Sequence, residues 1–164
     1  MKKIAFITLS LLLAVSFWNC EKDDICAEGT LVTPRVIIEF FDAANPTTPK
    51  NVTNLGVIAT GSTEGFAFNG TNKIEISLRT NVDTTELDFV LNGADNDPAN
   101  NETVALTFNY GRNDVFISRA CGYKTTFDVT NVLPTDFTGT WISSLTIEQP
   151  NIINENETHI KIYF

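Results

Sequence analysis

The sequence has 164 residues, of which 20 are acidic and 11 are lysine or arginine, giving a net charge of −9 at pH 7. A surface this acidic repels nucleic acid and anionic lipid head groups, so we expect no nucleic acid among the partners. The length suits one domain with a sizeable core.

Residues 1–19 have the composition of an export signal. Two lysines precede an apolar run over residues 4–18, which is shorter than the about 20 residues that a membrane-spanning helix needs. The run ends just before Cys20, and this arrangement resembles the lipobox of bacterial lipoproteins, whose cysteine receives a diacylglycerol and becomes the new N-terminus. Ordinary secretory cleavage after residues 14–16 (Ala-Val-Ser) is the alternative.

Residues 20–25 form a predicted tether that begins with the lipid-modified Cys20. Its Lys22-Asp23-Asp24 segment resembles the surface-export signal of Bacteroidota lipoproteins, which implies lipid anchoring in the outer membrane at the cell surface. The alternative is a generic charged tether in the periplasm. Without the two lysines of the signal, nine basic and 20 acidic residues remain, a net charge of −11 for the mature chain.

The chain has three cysteines, Cys20, Cys26 and Cys121. An odd count in an exported protein requires a use for one thiol, and lipidation of Cys20 leaves a pair that oxidising conditions would join. We therefore predict a Cys26–Cys121 disulfide. It would join positions 95 apart, and closing a loop of that length would contribute about 4–5 kcal/mol to the stability of the fold. A zinc site is not favoured, because no histidine lies near either cysteine at ligand spacing.

Apolar residues alternate with polar ones in short runs along the rest of the chain, as in half-buried strands. Asn69-Gly70 predicts a tight hairpin turn, residues 111–114 (Gly-Arg-Asn-Asp) predict a loop between two strands, and Asn92-Gly93 opens a longer polar loop. The predicted strands lie at residues 36–41, 57–59, 65–68, 74–79, 87–91, 104–110, 115–117, 127–129, 141–147 and 160–164.

Short strands with turn signals between them, and no helical apolar stripe, predict an all-β fold. We expect an antiparallel β-sandwich, Ig-like or Greek-key, of about eight strands. The predicted organisation is a signal peptide at 1–19, a lipid-anchored tether at 20–25 and a single β-sandwich domain at 26–164.

His159 is the only histidine. Nucleophilic catalysis of the Ser-His-Asp or Cys-His kind would have to use it. Because it precedes Ile160 in an alternating run, we expect it to face solvent rather than a reaction centre.

Acidic residues suggest two further sites. Asp95, Asp97 and Glu102 could supply carboxylate oxygens to calcium, although the loop lacks the spacing of an EF-hand and Asp and Asn also favour turns. Glu86 and Asp88 share one face of a strand, as paired glycosidase acids would, but a solvated strand face is the simpler interpretation.

Aromatic residues offer a possible binding platform. Trp141, Tyr110, Tyr123 and Tyr163 could present rings to a sugar or protein, although in a sandwich most aromatics fill the core. Asp83-Thr84-Thr85 resembles the O-glycosylation acceptor of Bacteroidota, which would modify Thr84; the alternative is an ordinary loop turn.

Three segments together resemble a family of small Bacteroidota lipoproteins classed as a domain of unknown function. They are residues 20–26 (Cys-Glu-Lys-Asp-Asp-Ile-Cys), 33–38 (Thr-Pro-Arg-Val-Ile-Ile) and 118–124 (Ser-Arg-Ala-Cys-Gly-Tyr-Lys). The resemblance supports the lipid anchor and the cysteine pairing, and it implies no activity.

We therefore expect a non-enzymatic lipoprotein of the cell envelope, acting as a binding or structural module that needs no cofactor. Its partners would be the outer membrane, through the anchor, and an envelope protein or glycan contacted by loops or an exposed sheet edge. The alternatives are a small glycan-processing hydrolase and a calcium-dependent adhesion module.

Overall fold

The computed structural model describes residues 25–30, 32–95, 97–134 and 136–164. The predicted export signal, Cys20 and the Lys22-Asp23-Asp24 segment lie outside the described residues. The chain divides into two compact units, the smaller one described at residues 25–30 and 116–123 and the larger one comprising the remainder. Among the described residues, no helix is both long and apolar enough to cross a membrane.

Ten strands and one short 3-10 helix (Pro98–Asn100) make up the regular structure of the described residues. β4 and β10 alternate buried and less buried side chains, as the period-two pattern of the sequence predicts, whereas β1 is buried on both faces. Their bounds are β1 Val36–Phe41, β2 Leu55–Ala59, β3 Gly65–Phe68, β4 Lys73–Ile76, β5 Thr84–Leu91, β6 Glu102–Ser118, β7 Gly122–Leu133, β8 Ser144–Ile147, β9 Asn151–Ile152 and β10 Ile160–Tyr163.

The larger sheet has six strands in the order β3-β2-β5-β6-β7-β9. Its β5–β6 ladder is antiparallel over eight residue pairs, from Thr84 opposite Asn109 to Leu91 opposite Glu102. β3 and β9 are the edges of this sheet, so one side of β3 has no strand neighbour among the described residues.

The smaller sheet has four strands in the order β4-β1-β10-β8. β1 runs parallel to β10, with Ile38 opposite Ile160, whereas the β1–β4 and β10–β8 pairs are antiparallel. The expectation of purely antiparallel pairing is therefore wrong at this one pair. The two strands are far apart in sequence, and the intervening strands supply the long connection that parallel pairing requires.

The two sheets pack face to face around one apolar core. The predicted all-β, sandwich-like fold is confirmed, with ten strands among the described residues where about eight were expected. The largest fully buried side chains, which come from both sheets and the segments beside them, are Phe40, Phe89, Phe108, Ile37, Ile38, Leu55, Ile74, Leu106, Ile142, Ile152, Ile160 and Ile162.

Two turn predictions are wrong. Residues 111–114 lie inside β6, where Arg112 Nε donates to Asp83 Oδ1 at 2.6 Å. Polar side chains that suggested a loop instead bind neighbouring segments. Asn69-Gly70 does form a turn, with Gly70 at φ +66°, but it joins strands of different sheets and no hairpin results.

Candidate functional site: a groove beside an edge strand

His159 does not face solvent, which corrects the prediction from alternation. Its side chain is 1% exposed, and its Nδ1 accepts a hydrogen bond from the backbone N–H of Ile37 at 2.9 Å. The backbone N–H of His159 donates to the Ile37 carbonyl oxygen at 3.0 Å. Burial lowers the pKa of the imidazole below its usual value, so the neutral ring serves as a structural acceptor.

The predicted disulfide is confirmed. Cys26 and Cys121 are bonded, and their Cα atoms lie 4.8 Å apart. Both cysteines belong to the smaller unit. The bridge uses two of the three cysteines of the sequence, and Cys20 is the third.

The acidic loop after β5 uses its carboxylates in turn hydrogen bonds. Asp95 Oδ1 accepts from the N–H of Asp97 at 2.8 Å, and Asp97 Oδ1 accepts from the N–H of Ala99 at 3.1 Å, which caps the 3-10 helix. Glu102 begins β6 and is exposed. Within the described ranges, no cluster of three or more His, Cys, Asp or Glu side chains has the geometry to hold a metal ion.

The four candidate platform aromatics do not form one surface. Trp141 is buried, its Nε1 donates to the Phe89 carbonyl at 3.3 Å and its ring contacts Phe164 edge-on. Tyr110 is also buried, Tyr163 is half-buried, and Tyr123 is exposed. The interpretation of Trp141 as a core residue is confirmed.

A groove of about 380 Å³ opens in the larger unit between the two sheets, next to the edge strand β3. This volume lies at the lower end of the range typical of small-ligand sites. Its lining is mixed, and it comes from β2, β3, β5, the end of β4 and the segment that follows β4. The residues are Val57, Ala59, Thr60, Glu64, Gly65, Phe66, Ile76, Ser77, Arg79, Thr84, Thr85, Glu86 and Leu87.

The wall of the groove on β3 is aromatic and exposed. Phe66 is 71% exposed although it lies in a strand, opposite Val57 of β2. Gly65, before it, packs so tightly on β2 that a Cβ would lie 2.5 Å from the Val57 carbonyl oxygen. A glycine at this position therefore lets β3 approach β2 closely and presents Phe66 at the rim.

Another part of the groove lining is held by a hydrogen-bond network that is at least partly buried. Tyr110 Oη donates to the Arg79 carbonyl at 2.9 Å and lies 2.6 Å from Thr85 Oγ1. The N–H of Arg79 in turn donates to Thr85 Oγ1 at 2.9 Å. This network holds the segment after β4 against β5 and places Arg79 at the groove.

Two carboxylates line the groove, but not the two that the sequence suggested. Glu64 and Glu86 are both lining residues. Asp88 is not among them, and its Oδ1 accepts a hydrogen bond from Thr60 Oγ1 at 3.1 Å. The Glu86 and Asp88 pair is therefore not brought together at this site.

Thr84 is unsuited to glycosylation in the folded protein. Its Oγ1 is shielded from solvent and has no hydrogen-bond partner within the described part of the chain. A transferase needs access to that oxygen, so the interpretation of residues 83–85 as an acceptor is not supported by the structure.

A bidentate ion pair between Arg35 and Glu155 lies away from the groove. Arg35 Nε and Nη2 donate to the two carboxylate oxygens of Glu155, each at 2.8 Å, and the backbone N–H of Arg35 donates to Oε1 at 2.9 Å. These bonds lower the pKa of the Glu155 carboxyl to about 2. The pair joins the segment before β1 to the segment before β10 and is structural.

Sequence patterns missed the groove because its residues come from four strands. The sequence predicts a strand that contains Phe66, but no local pattern indicates that this strand lies at the edge of a sheet. No local pattern points to Glu64, since its role depends on the fold bringing it to the same groove as Glu86.

Comparison with known proteins identifies a family and no close relative. No curated protein and no solved structure matches this chain. A family of unknown function, DUF6452, matches residues 54–164, which is well over half of the chain and includes the groove. The predicted membership of a family of unknown function is confirmed, and the chain belongs to DUF6452.

Proposed function

We propose that this chain is a lipid-anchored lipoprotein at the outer-membrane surface of a Bacteroidota cell, where it acts as a non-enzymatic binding module. The anchor is Cys20, at the end of an apolar export signal. The disulfide supports this assignment, because it accounts for Cys26 and Cys121 and leaves Cys20 as the one cysteine outside the bridge.

Incorporation of a labelled fatty acid tests the anchor. Cells expressing the full chain should label it, and Cys20→Ala should abolish the label while the Cys26–Cys121 bridge still forms. Cleavage of the wild-type protein by protease added to intact cells would support the surface location. Label retained in Cys20→Ala would contradict the anchor.

The groove beside β3 is the observation that carries the binding role. β3 is an edge strand whose sequence, Gly-Phe-Ala-Phe, contains neither charge nor proline. An edge of this kind accepts an extended segment of another protein as an added strand. The backbone edge would supply hydrogen bonds, and the groove would receive side chains of the added segment against Phe66.

The charges of the groove indicate the chemistry of the bound segment. Glu64 and Glu86 line the groove together with Arg79. In a chain with a net charge of −9, this arrangement favours a segment that combines apolar and basic side chains. The partner is accordingly an extended segment of an envelope protein.

A pull-down from the cell envelope tests this role, with Phe66→Ala as the binding variant. Ile153→Ala is the matched control, because Ile153 is a similarly exposed apolar residue (56%) that does not line the groove. We expect one defined protein with wild type and with the control, and its loss with Phe66→Ala. Equal recovery by all three, or recovery of a glycan instead, would contradict binding at β3.

The presence of two carboxylates in the groove favours one second candidate, a small glycan-processing hydrolase. Glycosidases use paired carboxyl groups across a cleft, and Glu64 and Glu86 both line this groove. Turnover of envelope glycans that Glu86→Gln abolishes would establish the hydrolase. Unchanged substrate with wild type would favour the binding module.

A further inference from the structure

We propose that the turn between β6 and β7 contacts the lipid bilayer surface through an apolar patch formed by Ile25, Phe116 and Tyr123. We name these three residues the tip patch. The inference rests on the proposed lipid anchor at Cys20. It adds a second point of attachment, which uses protein side chains instead of the acyl chains.

The tip patch is unusually exposed for apolar side chains. Ile25 is 84%, Phe116 57% and Tyr123 68% exposed. The two rings pack edge-on with centroids 5.3 Å apart, so they form one preassembled aromatic unit. Rings with an apolar body and, for tyrosine, a polar tip favour the boundary between lipid tails and water.

The disulfide brings the pieces of the tip patch together. Ile25 precedes Cys26, which is bonded to Cys121, and Tyr123 follows two residues later. The N–H of Cys121 also donates to Ser118 Oγ at 3.0 Å, which fixes the turn between the rings. All of these residues belong to the smaller unit.

The length of the tether selects the bilayer as the occupant of this surface. Cys26 lies six positions after Cys20, and a fully extended chain over that interval spans about 20 Å. A lipid on Cys20 therefore holds the disulfide within about 20 Å of the membrane surface. Confinement at such short range gives a high effective concentration, so a small apolar patch is sufficient for contact.

The charges near the tip patch make this contact apolar rather than electrostatic. The described part of the smaller unit carries one acidic residue, Glu28, and one basic residue, Arg119. The patch thus carries no net charge, whereas the whole chain has −9. Contact through the uncharged patch is therefore expected on neutral vesicles and should be insensitive to salt there, whereas anionic lipid repels the acidic chain.

Quenching of tryptophan fluorescence by brominated lipids tests the contact directly. The full chain is expressed in cells that process lipoproteins, purified in detergent and reconstituted into phosphatidylcholine vesicles, with and without phosphatidylglycerol. Tyr123→Trp places a probe in the tip patch. Ile153→Trp is the matched control, since Ile153 is exposed but outside the patch, and buried Trp141 gives a constant background in both.

We expect lipid brominated near the head group to quench Tyr123→Trp at least about twice as strongly as Ile153→Trp on vesicles of phosphatidylcholine alone, and to quench it less when phosphatidylglycerol is present. Equal quenching of the two probes would overturn the proposal. The proposal would also be overturned if the tryptophan of Tyr123→Trp were shielded from solvent only at protein densities on the vesicle at which the protein self-associates. Flotation of the same samples separates the two claims. Protein that floats with vesicles but shows no quenching at position 123 contradicts the tip patch alone, whereas protein that does not float contradicts the anchor.

Discussion

Replacement of His159 tests whether the fold depends on a neutral buried imidazole. In His159→Leu, the backbone N–H of Ile37 loses its acceptor at a fully buried position. An unpaired buried donor costs about 1–3 kcal/mol, so we expect the free energy of unfolding at pH 7 to fall by that amount. His159→Asn retains an acceptor oxygen near the position of Nδ1 and should avoid the unpaired donor, although it leaves a small void.

The same residue predicts a specific pH dependence. Burial is the main cause that lowers the pKa of His159, and Lys73 acts in the same direction, while Glu157, Glu155 and a hydrogen bond with the Asn154 backbone oppose it. The unfolded chain therefore binds a proton at a higher pH than the folded chain. The contribution of the neutral ring to the free energy of unfolding is fully present above pH 6.5. Below that pH the free energy of unfolding falls, by at most about 1.4 kcal/mol per pH unit, until the imidazole of the folded protein also titrates.

Urea unfolding at pH 5, 6 and 7 measures both effects. In the chain from residue 21 onward, Trp141 is the single tryptophan and reports unfolding, and His159 is the single histidine. We expect a midpoint that falls towards pH 5 in wild type and changes little in His159→Leu or His159→Asn. A flat wild-type profile, or the same slope in His159→Leu, would refute the assignment of a neutral buried ring.

Three further predictions concern hydrogen bonds of the larger unit. Tyr110→Phe removes the donor to the Arg79 carbonyl and should cost about 1–3 kcal/mol in urea unfolding, whereas Tyr123→Phe, at an exposed position, should cost almost nothing; equal costs would contradict the network. Thr84→Val removes an unpaired buried hydroxyl and should raise stability by up to about 1 kcal/mol; a lower melting temperature would show that the hydroxyl has a partner. Glu155→Gln should cost about 1 kcal/mol at pH 7, a value reduced for partial exposure, and the difference from wild type should shrink below pH 4.5 and vanish as the pH falls through about 2; a difference that does not shrink over this range would contradict an ionic origin.

Local patterns predicted the strands and most of the core. Ile74, Ile76 and Leu78 alternate with polar residues and are all buried, as are Leu87 and Phe89. Hydrophobic alternation succeeds in these strands because each has one face on the core and one in solvent. The disulfide was also predictable, since it follows from cysteine count and compartment rather than from contacts.

Alternation failed where both faces of a strand are covered. His159 and Ile160 point to opposite faces, and both are buried. The segment before β10 is held against the segment before β1 by the Arg35 and Glu155 pair, and no local pattern contains that contact. The prediction of a loop from the polar residues 111–114 failed for a similar reason, because these residues lie within a long strand and their side chains bind neighbouring segments.

The groove was beyond local prediction because its components converge from two sheets. Phe66 becomes a candidate only when β3 is known to be an edge strand. Glu64 and Glu86 line the same groove only because β2 pairs with both β3 and β5. Strand order is set by contacts between distant segments, so a single sequence leaves it open.

The central claim is that this chain is held at the membrane by a lipid on Cys20, and the mass of the protein extracted from the cell envelope tests it most directly. The account predicts a mature chain that begins at Cys20 and carries a diacylglycerol and an amide-linked acyl chain, with Cys26 joined to Cys121. A chain that begins elsewhere, or whose Cys20 is unmodified, would contradict it.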